Sequence, residues 1–481
     1  MLSKIISILW LFFLLNSIIY VTIIILERRK PERTIAWLLI FMIFPPIGMI
    51  LYAFLGWNWK KYKLSSGDVI NKKLLEITPN IKEYSIYHGL INLVRSSSKF
   101  ELFQKNEIYF FNNGEEKFKK LKEELEKATN HIHLEYYIVR DDVIGNEIKD
   151  ILIKKALDGV KVRFIIDKVG AAKIKKKYIN DLKNAGIEIR FYTYFLAPIF
   201  KVVNTQINFR NHRKIVVIDG KVGFMGGMNI GDEYLGKGKL GYWRDTHMMI
   251  EGDAVKALQC IFLDDFKVVK KSFGEECKKY EQDIYDNLEE YFPINNTGNR
   301  CMQIIQSGPN SRIPTIMYSI VEMINSSQNH INIITPYFIP SDSVLTALKM
   351  AAIRGVDIKI IFPGKYDHFH VYYASRTYLK ELAEEGVKVF FYEKNSFIHS
   401  KIITVDSNIC SLGTANMDIR SYELNYEVNS IIYNKEKTIE LEKQFYLDLK
   451  KSRLVTIKDF DNSSALIRAV EAFTRLFSNI L

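Results

Sequence analysis

The chain has 481 residues, 48% of them hydrophobic and 25% charged, with a net charge of +12. Those proportions exclude a disordered, collagenous or low-complexity chain and leave room for a well-buried core in about three domains. The four cysteines (Cys260, Cys277, Cys301, Cys410) have no zinc, redox or disulfide spacing and fit a reducing compartment. The positive excess raises both nucleic acid and an anionic membrane as partners, so its position along the chain matters.

Residues 1–63 hold eight basic and two acidic side chains, half of the net charge, and four of the five tryptophans. Residues 5–26 and 35–55 are two charge-free runs, each long enough for a bilayer-spanning helix at about 20 residues. Pro45, Pro46 and Gly48 are expected to kink the second run. Trp57 and Trp59, followed by Lys60, Lys61 and Lys63, read as an interfacial belt. The first run is too long for a cleaved signal peptide and is followed at once by a second. Residues 1–63 are therefore expected to form a transmembrane helical hairpin. Basic residues flank both sides, so the positive-inside rule does not fix its orientation.

After a connecting segment, residues 64–99, the texture becomes globular. Apolar runs alternate with amphipathic stretches, the pattern of βαβ units and a mainly parallel sheet. The same pattern then occurs twice. Asn130-His131-Ile132 is echoed by Asn329-His330-Ile331, and Ala156-Leu157-Asp158-Gly159-Val160 by Ala352-Ile353-Arg354-Gly355-Val356. Gly186-Ile187-Glu188-Ile189 is echoed by Gly386-Val387-Lys388-Val389. Order is kept throughout, which marks an internal duplication. The expected boundaries are 100–270 for the first repeat, 271–300 for a charged linker, 301–460 for the second repeat and 461–481 for an amphipathic C-terminal segment.

Each repeat carries His-x-Lys-x4-Asp: His212, Lys214 and Asp219 in the first, His399, Lys401 and Asp406 in the second. On a strand, histidine and lysine share a face, whereas the aspartate, seven residues on, has opposite parity. Asp219 and Asp406 therefore read as orienting or turn residues of the motif rather than proton donors. Asn229 and Asn416 each follow their histidine by 17 residues. A carboxylate comes next on a following apolar strand, Asp245 in one repeat and Glu427 in the other. One such motif could be chance; two with matched spacing inside a repeat are not. One phosphodiester between the copies accounts for the set. One imidazole attacks phosphorus while the other protonates the departing alkoxide. Lys214, Lys401, Asn229 and Asn416 hold the non-bridging oxygens. Asp245 and Glu427 each bind the far nitrogen of a histidine. The two lysines supply the positive charge, so neither a metal nor a cofactor is required.

The duplicated motif resembles that of the phospholipase D superfamily, and among its members the bacterial cardiolipin synthases. The resemblance rests on Asn211-His212-Arg213-Lys214 with Gly226-Gly227-Met228-Asn229, on Thr335-Pro336-Tyr337-Phe338 and Asp418-Ile419-Arg420-Ser421, and on residues 28–48. Thr414 departs slightly from the pattern, where a small or hydroxyl residue such as serine is expected. The resemblance implies an α/β fold of two pseudo-symmetric phospholipase D-like repeats packed together, preceded by the two-helix transmembrane hairpin. It implies a membrane phosphatidyltransferase that condenses two phosphatidylglycerol molecules into cardiolipin plus glycerol. His212 would be the nucleophile and His399 the general acid and then base. The setting would be the bacterial plasma membrane, with the catalytic part cytoplasmic and anionic lipid as surface and substrate. A hydrolytic phospholipase D, a transferase to another alcohol, a tethered nuclease and a lipid-binding scaffold are the alternatives. The +6 left over 418 residues is thin for a nucleic-acid groove, so no nucleic-acid partner is expected. Neither motif is degenerate, which disfavours a scaffold.

Further features are weaker. His131-x-His133 and His368-x-His370 have metal-like spacing but no completing ligands. By resemblance, Glu135, Tyr337, Asp367 and His368 line the entrance. The Lys173–Lys177 run reads as a solvated face or as a lipid-attracting patch. Leu466, Ile467, Val470, Phe473, Leu476, Phe477 and Ile480 have helical spacing and would dock on the core or lie in an interface.

Overall fold

The structure is a computed structural model that describes residues 16–26, 31–43, 45–52, 87–98, 100–192, 209–272 and 275–478. It divides into two units, residues 1–64 with 193–209 and residues 65–192 with 210–481. In the first unit, helical residues 16–26 are followed by helices Pro31–Ile43 and Pro45–Leu51. The second of these opens at Pro45, where a missing N–H and a fixed φ suit a first helical position. Ile24, Phe41 and Tyr52 are buried together, with Tyr20 and Trp37 packed on them. The Tyr20 and Phe41 rings stack at 5.6 Å. Among the described residues no helix is long and apolar enough to cross a membrane. Residues 5–15, 44 and 53–55 of the expected spans, and the Trp57–Lys63 belt, lie outside the described residues.

The second unit contains the duplication as two sheets of the same strand order. The first runs Asn106–Phe111, His247–Gly252, Val222–Gly226, Ile215–Ile218, His131–Tyr136, Lys161–Asp167 and Glu188–Tyr192. The second runs Met302–Ser307, Asn425–Ile432, Ile409–Gly413, Ile402–Val405, His330–Ile334, Asp357–Phe362 and Lys388–Tyr392, with Ser452–Val455 added at the far edge. The sheets are not mainly parallel, as the sequence pattern suggested. Only the last three strands of each shared order run parallel; the other pairings are antiparallel. The reason is local. The strand after each His-x-Lys is joined to the next by a turn of a few residues, which permits only an antiparallel pair, whereas parallel strands need a helical crossover.

Those crossovers are helices such as Val143–Leu157 and Asp342–Ile353. Both stop at a glycine with positive φ, Gly159 at 92° and Gly355 at 88°, the conformation a helix C-terminus favours. Each sheet is covered by its own apolar cluster, around Leu134, Phe164 and Phe224 in one repeat and Ile333, Ile360 and Ile403 in the other. Residues 278–291, expected as a linker, form helices Lys278–Asp286 and Leu288–Tyr291 that pack on the first sheet. Asp283 binds Arg163 at 2.7 Å and Lys161 at 2.7 Å.

Two short strand pairs tie the repeats together. Arg210–Asn211 pairs with Asn425–Tyr426, and Ser396–Ile398 with Tyr242–Arg244, both parallel. In each case the segment just before one repeat's histidine runs beside the segment just before the other repeat's carboxylate.

Candidate active site

That exchange builds the site. His212 and His399 do not lie on regular strand. Each sits in the break between a short strand paired to the opposite repeat and the strand that enters its own sheet. The next backbone bond continues the exchanged pairing: His212 N–H donates to Tyr426 O at 3.0 Å, and His399 N–H to Arg244 O at 2.7 Å. The residues after Tyr426 and Arg244 are Glu427 and Asp245. His212 Nδ1 therefore meets Glu427 at 2.9 and 3.0 Å, and His399 Nδ1 meets Asp245 at 2.7 Å. Each imidazole is held by the carboxylate of the other repeat. Asp245 and Glu427, grouped with the substrate-binding residues and expected to bind the far nitrogens of the histidines, are fully buried and face histidines. A carboxylate repels a phosphate, so the structure assigns both to positioning.

The lysines close back on the motif. Lys214 Nζ donates to His212 O at 2.6 Å, and Lys401 Nζ donates to His399 O. Lys401 also lies 3.0 Å from His399 Nδ1. That nitrogen cannot accept from Lys401 and donate to Asp245 at once; the carboxylate has no proton of its own and takes the imidazole N–H. Nε2 is then the reactive nitrogen of both rings. Tyr137 stands edge-on to His212 at 5.0 Å, and Trp243 lies 5.0 Å from His399, giving each ring an aromatic wall.

The electrostatics are those of two buried, nearly cancelling pairs. Burial holds His212 down at about 4 against the pull of Glu427. Burial, helped by Lys401, also lowers His399. Burial would raise Glu427, but the His212 contact, Lys214 and Thr414 outweigh it and hold the carboxyl at about 2. Burial pulls Lys214 to about 7 and Lys401 to about 8, each opposed by the carboxylates. With neutral imidazoles, two ammonium and two carboxylate groups sum to zero. A phosphodiester anion entering this dry site would favour one imidazolium.

The motif aspartates are not in the reacting set. Asp219 and Asp406 occupy turns with φ of 50° and 51°. Asp219 accepts from the backbone N–H groups of Thr129, Asn130 and His131 and from the Thr129 hydroxyl, all within 2.9 Å. Asp406 likewise accepts from Gln328, Asn329 and His330 N–H. Each carboxylate fastens the turn after the His-x-Lys strand to the start of the central strand. Replacing Asp219 by alanine orphans three backbone donors and the Thr129 hydroxyl and is expected to cost about 2 kcal/mol, read as a lower melting temperature. Its amide bonds hold Asp219 below the usual carboxylate range despite burial. The folded pKa lies below the unfolded one, so this stabilisation is complete above about pH 4 and is lost as pH falls through the folded value.

Asn229 takes the N–H of Ile138 on its oxygen at 3.1 Å and donates to Tyr234 Oη at 3.1 Å. Asn416 donates to Asp418 at 3.3 Å, and its buried Oδ1 has no hydrogen bond. Tyr337 lies 6.5 Å from His399 and donates to Asp367, with exposed His368 beside it at 5.9 Å, so these three are at the mouth of the His399 half. Glu135 is not at an entrance: it is fully buried and accepts from Asn211. His131 and His133 are packed against Tyr291 and Phe262, with Gln259 bridging their nitrogens. The lysine run at 173–177 is exposed apart from half-buried Ile174.

Several contributors had no strong sequence signal. Arg213 binds Asp265 and Gln306 and lies 5.4 Å over the Tyr426 ring. Arg244 forks onto Asp448 at 3.1 and 2.7 Å and reaches Ser400 at 2.9 Å. These two arginines stiffen the exchanged segments. Thr414 donates to Glu427 Oε2 at 2.5 Å. Its counterpart, Gly227, must be small, because a Cβ there would lie 2.1 Å from the Asp245 carboxylate. The departure at Thr414 thus anchors the longer carboxylate, and the two halves are not identical.

Two copies of one α/β unit sharing a His-Lys site define a phospholipase D-like fold. The chain matches the model of the family "Cardiolipin synthase, PLD-like domain" over residues 121–262 and 320–449, and that of the family "Phospholipase_D-nuclease N-terminal" over residues 5–57. It is 42% identical over 478 residues to a cardiolipin synthase of Geobacillus sp. (strain WCH70), covering 97% of this chain and 92% of that protein. It is 39% identical over 484 residues to a cardiolipin synthase of Oceanobacillus iheyensis, covering 98% of each. The fold is similar to the crystal structure of phosphatidylserine synthase from Haemophilus influenzae, with a TM-score of 0.61 and 16% identity over 83% of this chain and 100% of that one. The chain belongs to the cardiolipin synthase family, and it is a phosphatidyltransferase of the phospholipase D type.

Proposed function

We propose that the protein joins two phosphatidylglycerol molecules into cardiolipin and glycerol through a phosphatidyl group carried on His212. Nε2 of His212 attacks phosphorus, and the P–O bond to one glycerol headgroup breaks. His399 Nε2 gives its proton to that alkoxide, and glycerol leaves. The neutral His399 then takes the proton from the headgroup hydroxyl of a second phosphatidylglycerol. That oxygen attacks phosphorus, the P–N bond breaks, and His212 is restored. Lys214, Lys401, Asn229 and Asn416 hold the non-bridging oxygens as their charge grows. Neither step needs a metal or a redox partner. The observation that carries this reading is the pair of imidazoles, one from each repeat, each fixed through Nδ1 by the opposite repeat's carboxylate.

Residues 1–63 act as the membrane hairpin. Their two charge-free runs and the match of residues 5–57 to an N-terminal family model support that role. It confines enzyme and both lipids to one surface, which raises encounter without new contacts. The setting is the bacterial plasma membrane, with catalysis on the cytoplasmic side.

The test is reconstitution into phosphatidylglycerol vesicles with EDTA present, followed by lipid and glycerol analysis. Cardiolipin and glycerol in equal amounts are expected. Phosphatidic acid as the main product, or a requirement for a nucleotide-activated lipid, would refute the reaction. The pH dependence follows from the site. In free enzyme His212 must be neutral, which holds above about 4, and Lys214 and Lys401 must be protonated, which fails above about 7 and 8. The kcat/KM profile is expected to be bell-shaped, with its acid limb set by His212 and its alkaline limb set first by the proton His399 must carry, which burial and Lys401 make easier to lose, and then by the lysines. A flat profile up to pH 9 would contradict the lysine assignment.

A further inference from the structure

The C-terminal helix Ala465–Arg475 docks with its polar side. Glu471 pairs with Arg376 at 2.5 Å, Arg475 pairs with Glu381 at 2.7 Å and lies 4.4 Å over Tyr378, and Thr474 is buried. The residues expected to form one apolar face are divided. Ile467 and Val470 turn partly inward, while Leu466 is 75% exposed, Phe473 60% and Leu476 78%. With Ala469 between them, their spacings of three, four and three residues make one outward stripe. Phe477 extends it, and Arg468 is exposed on the other shoulder of the helix.

The ion-pair register runs this helix alongside Phe369–Glu384 in the same direction, which brings the Leu466 end toward the Phe369 end. There Tyr366 is 48% and Phe369 40% exposed, with rings 5.7 Å apart. Phe369 follows His368, the ring beside Tyr337, and Tyr337 stands against His399. A run of aromatic side chains leads from the His399 half of the site to the Phe369 end of the helix against which Ala465–Arg475 packs.

We propose that the outward face of Ala465–Arg475, together with Tyr366 and Phe369, docks on an anionic lipid surface. The helix lies at the headgroup boundary with Leu466, Phe473 and Leu476 among acyl carbons and Arg468 among phosphates. This sets the mouth of the His399 half against the layer that holds its substrates. The occupant is lipid rather than a second copy of the chain, because the stripe rides on a helix packed against Phe369–Glu384, whose Phe369 end adjoins the His399 half of a site whose substrate is lipid, and because the same helix exposes a cation, Arg468. The proposal rests on the lipid-substrate reading above.

The four cysteines are all buried, so single added cysteines can be labelled selectively. Nitroxide labels at Leu466→Cys and Leu476→Cys are compared with one at exposed Glu440→Cys, in full-length protein reconstituted in phosphatidylglycerol vesicles. The first two are expected to be reached by oxygen dissolved in the bilayer, and the third by a water-soluble relaxant. The double variant Phe473→Asp, Leu476→Asp is expected to lose about tenfold in rate on vesicles and less than about twofold on detergent-dispersed short-chain phosphatidylglycerol. Water-exposed labels at 466 and 476 in a preparation that makes cardiolipin would overturn the proposal. So would labels shielded from both relaxants, which would mean a second copy of the chain covers the face. A preparation that makes no cardiolipin would count against the reaction, while the labels would still report docking.

Discussion

His212→Ala and His399→Ala should each lower cardiolipin formation by at least about 10³-fold, since one removes the nucleophile and the other the only acid and base in line with it. The double variant should be hardly worse than either single one, because residues that act as one unit are strongly non-additive. Folding is expected to survive. Both side chains lie at a break in the strand, and their backbone bonds to Arg244 O and Tyr426 O are kept in alanine. Circular dichroism and product analysis on the same preparations check the pair. If either variant kept a tenth of the activity, a reaction needing both imidazoles would be ruled out.

The second large effect belongs to the exchanged carboxylates. Glu427→Gln is expected to cost about 10²- to 10⁴-fold in rate, with little change in substrate affinity. An amide can offer His212 Nδ1 a donor, which drives the ring proton to Nε2 and removes the lone pair that attacks phosphorus. Asp245→Asn acts on His399 in the same way. The exchange makes a sharper claim than either loss alone. Glu427 sits in the second repeat but controls the first repeat's histidine, so Glu427→Gln should abolish adduct formation on His212. A loss confined to the second half-reaction would contradict the pairing seen at 2.9 Å.

Much of this was legible in residue order. The matched spacings of His212, Lys214 and Asn229 with His399, Lys401 and Asn416 identify both motifs, because duplicated backbone geometry keeps such spacings. Parity along a strand moves Asp219 and Asp406 out of the reacting set, and the structure places both in turns that fasten the central strands. Sequence periodicity could not show which carboxylate meets which histidine. That depends on two short strand pairs between the repeats, and pairs of two or three residues leave no periodic signal. The mainly parallel sheet was misread for a related reason: buried antiparallel strands are as continuously apolar as parallel ones. Glu135 resembled a mouth residue, but only the fold reveals that it lies buried against Asn211. The C-terminal helix was legible as amphipathic, yet spacing alone does not say which stripe turns inward. The ion pairs of Glu471 and Arg475 decide that.

The most direct measurement is the site of the covalent lipid. Enzyme turning over radiolabelled phosphatidylglycerol is quenched in alkaline denaturant, where a phosphorus–nitrogen bond survives, then digested and mapped by mass spectrometry. The phosphatidyl group is expected on the peptide that carries His212. A lipid adduct on His399, or full turnover with no adduct on either histidine, would contradict the account.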